Sequence, residues 1–253
     1  MRIAIAGGTG VVGSYAADAA EDAGHDVVVL ARHSGVDVAT GSGLGPALDG
    51  IDIVIDALNL LTLRGSRAED FFVTTSRNLQ AAAARRDVKH IVTLSIVGID
   101  RATAYPYFRA KLAQEKAALE GSVPVTILRA TQFHEYPVQV MRFARRGPVT
   151  FMPRFRSQPV AARTVGEHLV RLAADQPGGT HDLAGPEIHD ISDLARRFVA
   201  VHGPRVRIVR FPVPGKAGRQ LRRNALLPTE GTTIDGPRFD EWLASADAKR
   251  IQL

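Results

Sequence analysis

Tyr107 and Lys111 stand four residues apart at what reads as a helix start, so their side chains share one face. An ammonium beside a phenol favours the phenolate, lowers the tyrosine pKa and lets it exchange a proton near neutrality. Ser95 lies near the end of the apolar run His90–Ile96, which reads as a central strand. Open α/β sheets bind ligands at the carboxyl ends of their strands, and a hydroxyl there can donate to a carbonyl oxygen. Together the three suit proton transfer to an oxygen. The same spacing also fits a tyrosine that only packs, a lysine that only meets solvent, and a small residue at a strand end.

A second constellation opens the chain. The apolar run Arg2–Ala6 passes directly into Gly7-Gly8-Thr9-Gly10-Val11-Val12-Gly13. Strand, glycine-rich turn and helix start in that order form a dinucleotide-binding turn. Gly7 permits the tight turn, Gly10 leaves room for a pyrophosphate, and Gly13 lets the helix pack close to the sheet. The free N–H groups around Thr9, Val11 and Val12 then face the phosphates. A helix over Val11–Ala23 and a second strand over Val27–Leu30 complete one βαβ unit. After that strand come Ala31-Arg32-His33-Ser34, and the first acid is Asp37. Sites that prefer NAD place an acid at this point. Arg32 can instead pair with a 2′-phosphate, and His33 and Ser34 can add hydrogen bonds. The pattern favours NADP(H) over NAD(H), against Arg32 as one more solvated cation.

These residues need a scaffold. Strands are predicted at Arg2–Ala6, Val27–Leu30, Val36–Val38, Ile51–Ala57, His90–Ile96 and Val125–Arg129. Helices fit Val11–Ala23, Phe71–Arg86 and Phe108–Glu120, with Gly24 and Gly121 as C-terminal caps. Strands apolar on both faces and joined by helices predict a doubly wound parallel sheet of Rossmann type. The stretch Gly41–Pro46 reads as a loop entering a short helix. Beyond residue 130, prolines at 137, 148, 153 and 159 divide short segments. Strands are predicted there at Gln158–Ala162, Thr180–Leu183 and Val206–Phe211. Helices are predicted at Val165–Ala174, Ile191–His202, Lys216–Leu226 and Pro237–Ala246. The expectation is a nucleotide-binding core over 1–130 and a small mixed α/β substrate lobe over 131–253, with segments returning to the core in one compact unit.

With these motifs the chain resembles the short-chain dehydrogenase/reductases, and more narrowly their atypical, NmrA-like NAD(P)-binding branch. Further phrases carry the resemblance: Ser95-Ile96-Val97-Gly98, Arg109 to Glu115, and Ile127 to Phe133. It implies a Rossmann fold, bound NADP(H) and a cleft under the C-terminal lobe. It makes Ser95, Tyr107 and Lys111 the catalytic set, with Lys111 also on the nicotinamide ribose. It places Ala130, Thr131, Gln132 and Phe133 beside the nicotinamide. Ala57, Leu58 and Asn59, after the strand ending at Asp56, and Thr93 in the serine strand join the cofactor set. For Asn59 a capping role is equally open. The asparagine that many relatives carry in the helix before the serine strand falls near Phe72 here, and Asn78 matches a different, structural asparagine. A proton relay through that missing asparagine is not supported.

Composition bounds the rest. The 253 residues contain no cysteine, which excludes disulfides, thiolate nucleophiles and Cys-ligated metal, and fits a reducing cytoplasm. No apolar stretch approaches a membrane span, and no signal peptide is expected. The net charge of +6 favours anionic ligands. Arg142, Arg145, Arg146, Arg154 and Arg156, around Met141, Phe143 and Phe151, read as a solvated face with apolar anchors. No nucleic-acid signature accompanies them, so no nucleic-acid partner is expected. The scattered histidines predict no metal site. Ser95, Tyr107, Phe133 and His134 are the candidate substrate contacts, although His134 and Glu135 fit a surface turn equally well. The expected function is an NADPH-dependent reductase of a small-molecule carbonyl, quinone or enone. The alternative is a redox-sensing NADP-binding protein without turnover.

Overall fold

The computed structural model describes residues 1–62, 64–203 and 206–251. The first elements are β1 (Arg2–Ala6), α1 (Val11–Asp22), β2 (Asp26–Leu30), α2 (Leu44–Ala47) and β3 (Ile53–Asp56). Then come α3 (Gly65–Ala84), β4 (His90–Ile96), α4 (Pro106–Leu119) and β5 (Val125–Ala130). They are followed by α5 (Tyr136–Ala144), β6 (Arg145–Arg146), β7 (Val149–Arg154), β8 (Arg156–Ser157), α6 (Ala162–Asp175), β9 (Gly179–Ala184) and β10 (His189–Asp190). The chain continues through α7 (Ile191–His202), β11 (Arg207–Pro212), α8 (Gly215–Arg222), β12 (Thr233–Ile234), α9 (Phe239–Ala244) and α10 (Ala246–Lys249).

Seven strands form the central sheet in the order β12-β9-β5-β4-β3-β1-β2. β1 pairs in parallel with β2 and β3, β3 with β4, and β9 with β12 through Leu183–Thr233 and Ala184–Ile234. β3 and all but the last residue of β4 are buried, as a sheet covered on both faces requires. This is the expected doubly wound Rossmann-type fold. The chain divides into two compact units. The first comprises 1–96, 105–129 and 163–181; the second comprises 97–104, 130–162 and 182–253.

In the first unit the core joins Ala4, Ala6, Val54 and Ile91 of the sheet to Leu79 and Ala83 of α3. Phe72 sits with Ala68 and Ala110 where α3 meets α4, and burying such a ring contributes roughly 2 kcal/mol. α1 and α6 approach closely at Gly166, where a Cβ would lie 2.7 Å from the Ala16 nitrogen. In the second unit, β7 pairs antiparallel with β6 and parallel with β11, and β8 pairs antiparallel with β10. Met141, Met152, Leu194 and Phe198 are buried there. Asp190 caps α7 by accepting the Ser192 amide at 2.9 Å. No helix among the described residues is long and apolar enough to cross a membrane.

Several expected elements are corrected. Residues 36–38 form no strand; Val36 and Val38 are buried in a loop closed by an isolated Asp37–Ser42 bridge. Asn78 holds that loop, donating to the Val38 and Ala39 carbonyls at 2.8 and 3.1 Å. Residues 158–162 contribute only a Phe133–Val160 bridge, and Ala162 already begins α6. α3 starts at Gly65, six residues before the expected start. α8 stops at Arg222, and the last expected helix divides at Ser245, which caps α10. α5 and the β6–β7 hairpin were not expected. Gly24 follows α1 in the left-handed region at φ 77°. Gly121 needs to be glycine for another reason: a Cβ there would meet the Gln80 side chain at 2.1 Å.

Candidate functional site

The glycine turn sits between β1 and α1. Gly7 adopts φ 81°, and a Cβ on it would lie 2.7 Å from the Ala57 carbonyl oxygen. A Cβ on Gly13 would stand 2.1 Å from the Gly7 oxygen, so the first turn of α1 rests directly on the glycine turn. Gly10 donates to the Gly7 carbonyl at 2.9 Å and begins the helix with no side-chain cap. The first intrahelical bond is that of Ser14 to Gly10, which leaves the Val11, Val12 and Gly13 N–H groups without helical partners. Thr9, Gly10 and Val11 are exposed. A bare turn with outward amide hydrogens fits a diphosphate.

Arg32, His33 and Ser34 form a single exposed 3-10 turn after β2. Ser34 Oγ donates back to the Ala31 carbonyl at 2.8 Å. Arg32 makes no ion pair among the described residues. Asp37 is turned onto its own loop, accepting the Ala39 amide at 2.9 Å. A free guanidinium therefore follows the second strand, and its nearest acid along the chain is engaged elsewhere.

The three residues proposed for chemistry are not joined in one hydrogen-bonded set. Ser95 is 2% exposed and donates its hydroxyl to Glu115 Oε1 at 2.5 Å. Glu115 is in turn gripped by Arg129 through Nε and Nη2, at 2.8 and 2.6 Å. The Ser95 hydrogen is thus given to a buried carboxylate. Lys111 is 4% exposed. Its ammonium donates to the Leu94 carbonyl at 2.7 Å and to Gln114 Oε1. Gln114 Nε2 donates on to Asp56 Oδ2 at 2.9 Å. Burial pulls the Lys111 pKa down to about 8, against the opposing charges of Asp56 and Glu115. Burial also raises Asp56, with Lys111 opposing. This lysine is committed inward and not to the phenol. Tyr107 instead donates its hydroxyl to Asn59 Oδ1 at 2.6 Å. Its pKa is raised by burial, and the lowering expected from Lys111 is absent.

Ala57 and Leu58 leave β3 beside the glycine turn, and the Leu58 backbone N–H donates a hydrogen bond to Asp56 Oδ1 at 3.1 Å. Asn59 is exposed. Thr93 is buried with its hydroxyl unpartnered and borders a small internal gap with Asp56, Ser76 and Leu79.

In the second unit, Ala130 accepts the Val97 amide at 3.0 Å. Thr131 Oγ1 donates to the Gln158 carbonyl at 2.6 Å, and Gln132 Oε1 accepts from Ser157 Oγ at 2.5 Å. Phe133 is partly buried. His134 and Glu135, open to a surface-turn reading, are instead buried. His134 Nε2 lies 3.1 Å from the Pro237 carbonyl, and its ring packs on Phe239 and Trp242. Burial lowers His134 to about 4 and raises Glu135 to about 7. The arginines at 142, 145, 146, 154 and 156 are exposed, as is Phe143, while Met141 is buried.

Sequence reasoning missed the buried polar side of α4. Lys111, Gln114 and Glu115 share the inner face with Ala110, Ala117 and Ala118. Their spacing was the available signal: three polar residues stand where the apolar stripe of an ordinary helix would be.

The model of the NAD dependent epimerase/dehydratase family matches residues 3–134. A "(4-alkanoyl-5-oxo-2,5-dihydrofuran-3-yl)methyl phosphate reductase" of Streptomyces griseus is 32% identical over 141 residues, which is 52% of this chain and 48% of that protein. "Photosystem II assembly factor Ycf39" of Synechocystis is 28% identical over 147 residues, 53% of this chain and 45% of that one. The chain thus spans about half the length of the curated relatives it matches. A short-chain dehydrogenase/reductase superfamily protein from Agrobacterium tumefaciens, solved with bound NAD, superposes with a TM-score of 0.68 at 19% identity. That match covers 99% of this chain and 97% of the other.

Proposed function

The chain belongs to the NAD dependent epimerase/dehydratase family, and from that premise we propose that it is an NADPH-dependent reductase of a small-molecule carbonyl, quinone or enone. Among the short-chain dehydrogenase/reductases its motifs resemble the NmrA-like branch. The bound dinucleotide would supply hydride. The turn of Gly7, Thr9, Gly10, Val11, Val12 and Gly13 would hold its diphosphate, and Arg32, with His33 and Ser34, its 2′-phosphate. Ala57, Leu58 and Asn59 would border it, with Ala130, Thr131, Gln132 and Phe133 toward the nicotinamide end. The observation that carries the chemistry is the Tyr107 hydroxyl, held on Asn59 at 2.6 Å. A neutral phenol held in place is a proton donor for an oxygen that gains electron density. Ser95 and Lys111 serve this site as buried supports of β4 and α4. Phe133 is the aromatic offered to substrate. The absence of cysteine supports the cytoplasm as its compartment.

The test is loss of NADPH absorbance over a panel of ketones, aldehydes, quinones and enones, with Tyr107→Phe run alongside. Turnover that falls by about 10²-fold or more in the variant supports Tyr107 as the proton donor. Unchanged turnover removes the tyrosine from that role and leaves the reductase. The inward commitment of Ser95 and Lys111 favours a second reading, an NADP-binding sensor or regulator without turnover. Tight NADPH binding with silence across the panel would select it.

A further inference from the structure

Three features of the first unit meet at Tyr107. The ammonium that the Tyr-x-x-x-Lys spacing offers it is held on Leu94 and Gln114. The helix position where the resemblance implies an asparagine is Phe72. Its ring carries the Lys111 ammonium 4.8 Å from its centroid and meets the Tyr107 ring edge-on, with centroids 5.8 Å apart and planes at 74°. A hydrocarbon ring thus touches both residues where a polar relay would run. The tyrosine hydroxyl takes Asn59 instead, on the loop leaving β3.

We propose that Asn59 is the positioning residue for Tyr107, holding the phenol that Lys111 does not reach with a hydrogen bond; this rests on the reductase reading above. An amide differs from an ammonium in what it stabilises. Its oxygen accepts from the neutral phenol and brings no positive charge, so it favours the protonated acid. Burial acts in the same direction on Tyr107. With hydride supplied to the substrate carbon by a reduced dinucleotide, the Tyr107 hydroxyl would leave Asn59 Oδ1 and pass its proton to the substrate oxygen. The phenolate left behind would take its proton back from solvent. Asn59 is exposed, so water reaches this pair.

Two readouts test the assignment. The first needs no turnover: the ionisation of Tyr107 followed by ring-carbon NMR of labelled tyrosine, with the resonance assigned by Tyr107→Phe. Asn59→Leu removes the acceptor that favours the neutral phenol. Its Tyr107 should ionise about one pH unit lower than in the parent. The second is kinetic. Asn59→Leu should lose about 10²-fold in kcat, a larger loss than any rise in KM for NADPH. Asn59→Asp, which keeps an acceptor and adds a charge that also opposes the phenolate, should keep the phenol's high pKa and recover only part of kcat. A shift in the tyrosine titration without any turnover by the parent would support the positioning role and overturn the reductase reading instead. Turnover that depends on Tyr107, with both readouts in Asn59→Leu matching the parent, would overturn the assignment and leave the reductase standing.

Discussion

At the scale of single residues, the site turns on which partner each polar group has taken. Ser95, Lys111 and Tyr107 are three hydroxyl or ammonium groups within one strand and one helix, and each is bonded to something different: Glu115, Gln114 and Asn59. Arg32 has taken none of the described acids, and that makes it the residue on which cofactor choice can be tested. Replacing Arg32 by Ala should weaken NADPH about tenfold while leaving NADH within about twofold, a difference of about 1.4 kcal/mol. Fluorescence titration with each nucleotide reads this directly. Equal losses for both would make Arg32 a general electrostatic contributor with no 2′-phosphate specificity.

At the scale of elements, the glycine turn leaves no room for a side chain at Gly7 or Gly13. Gly13 has no clearance, with the Gly7 oxygen 2.1 Å from where a Cβ would stand, whereas nothing lies within 4 Å of a Cβ on Gly24. Gly13→Ala must push α1 off the turn, costing about 2 kcal/mol of stability and at least tenfold in NADPH affinity. Gly24→Ala should cost about 1 kcal/mol from its left-handed backbone and leave binding intact. Thermal melts and titrations on the pair separate the effects, and wild-type affinity in Gly13→Ala would mean that the turn does not cradle the cofactor. The same elements show what could be read in advance. β1 and β4 matched to the residue because continuous apolar runs between breakers leave no other register. Val36 and Val38 alternated like a strand but are buried by loop closure without a ladder partner. α5 was hidden because Pro137 reads as a breaker, although proline in a first helical turn is well tolerated. The pairing of Ser95 with Glu115 was illegible for another reason: it spans two elements, and nothing local in either predicts it.

At the scale of the whole molecule, two adjacent buried groups oppose each other in acid. His134, lowered to about 4, leaves the folded chain short of a proton that the unfolded chain carries up to about pH 6.5, so its contribution to stability grows as pH rises across that window. Glu135, raised to about 7, makes the folded chain hold a proton that the unfolded chain loses above about pH 4.5, so its contribution falls as pH rises toward 7. Each is worth at most about 3 kcal/mol, and between about pH 4.5 and 6.5 they cancel. Glu135→Gln should therefore gain stability, and His134→Gln lose it, as pH rises through that range. Urea midpoints at a series of pH values measure both slopes; a Glu135→Gln profile parallel to the parent would show that Glu135 is ionised in the native protein. The order of the sheet has a different outcome, set in time. β9 waits for its outer neighbour β12, about fifty residues further along the chain. At ribosomal rates of about 5–20 residues per second, that edge emerges several seconds before its partner. During each round of synthesis an unpaired parallel strand stands open to whatever chaperone or neighbouring chain arrives first.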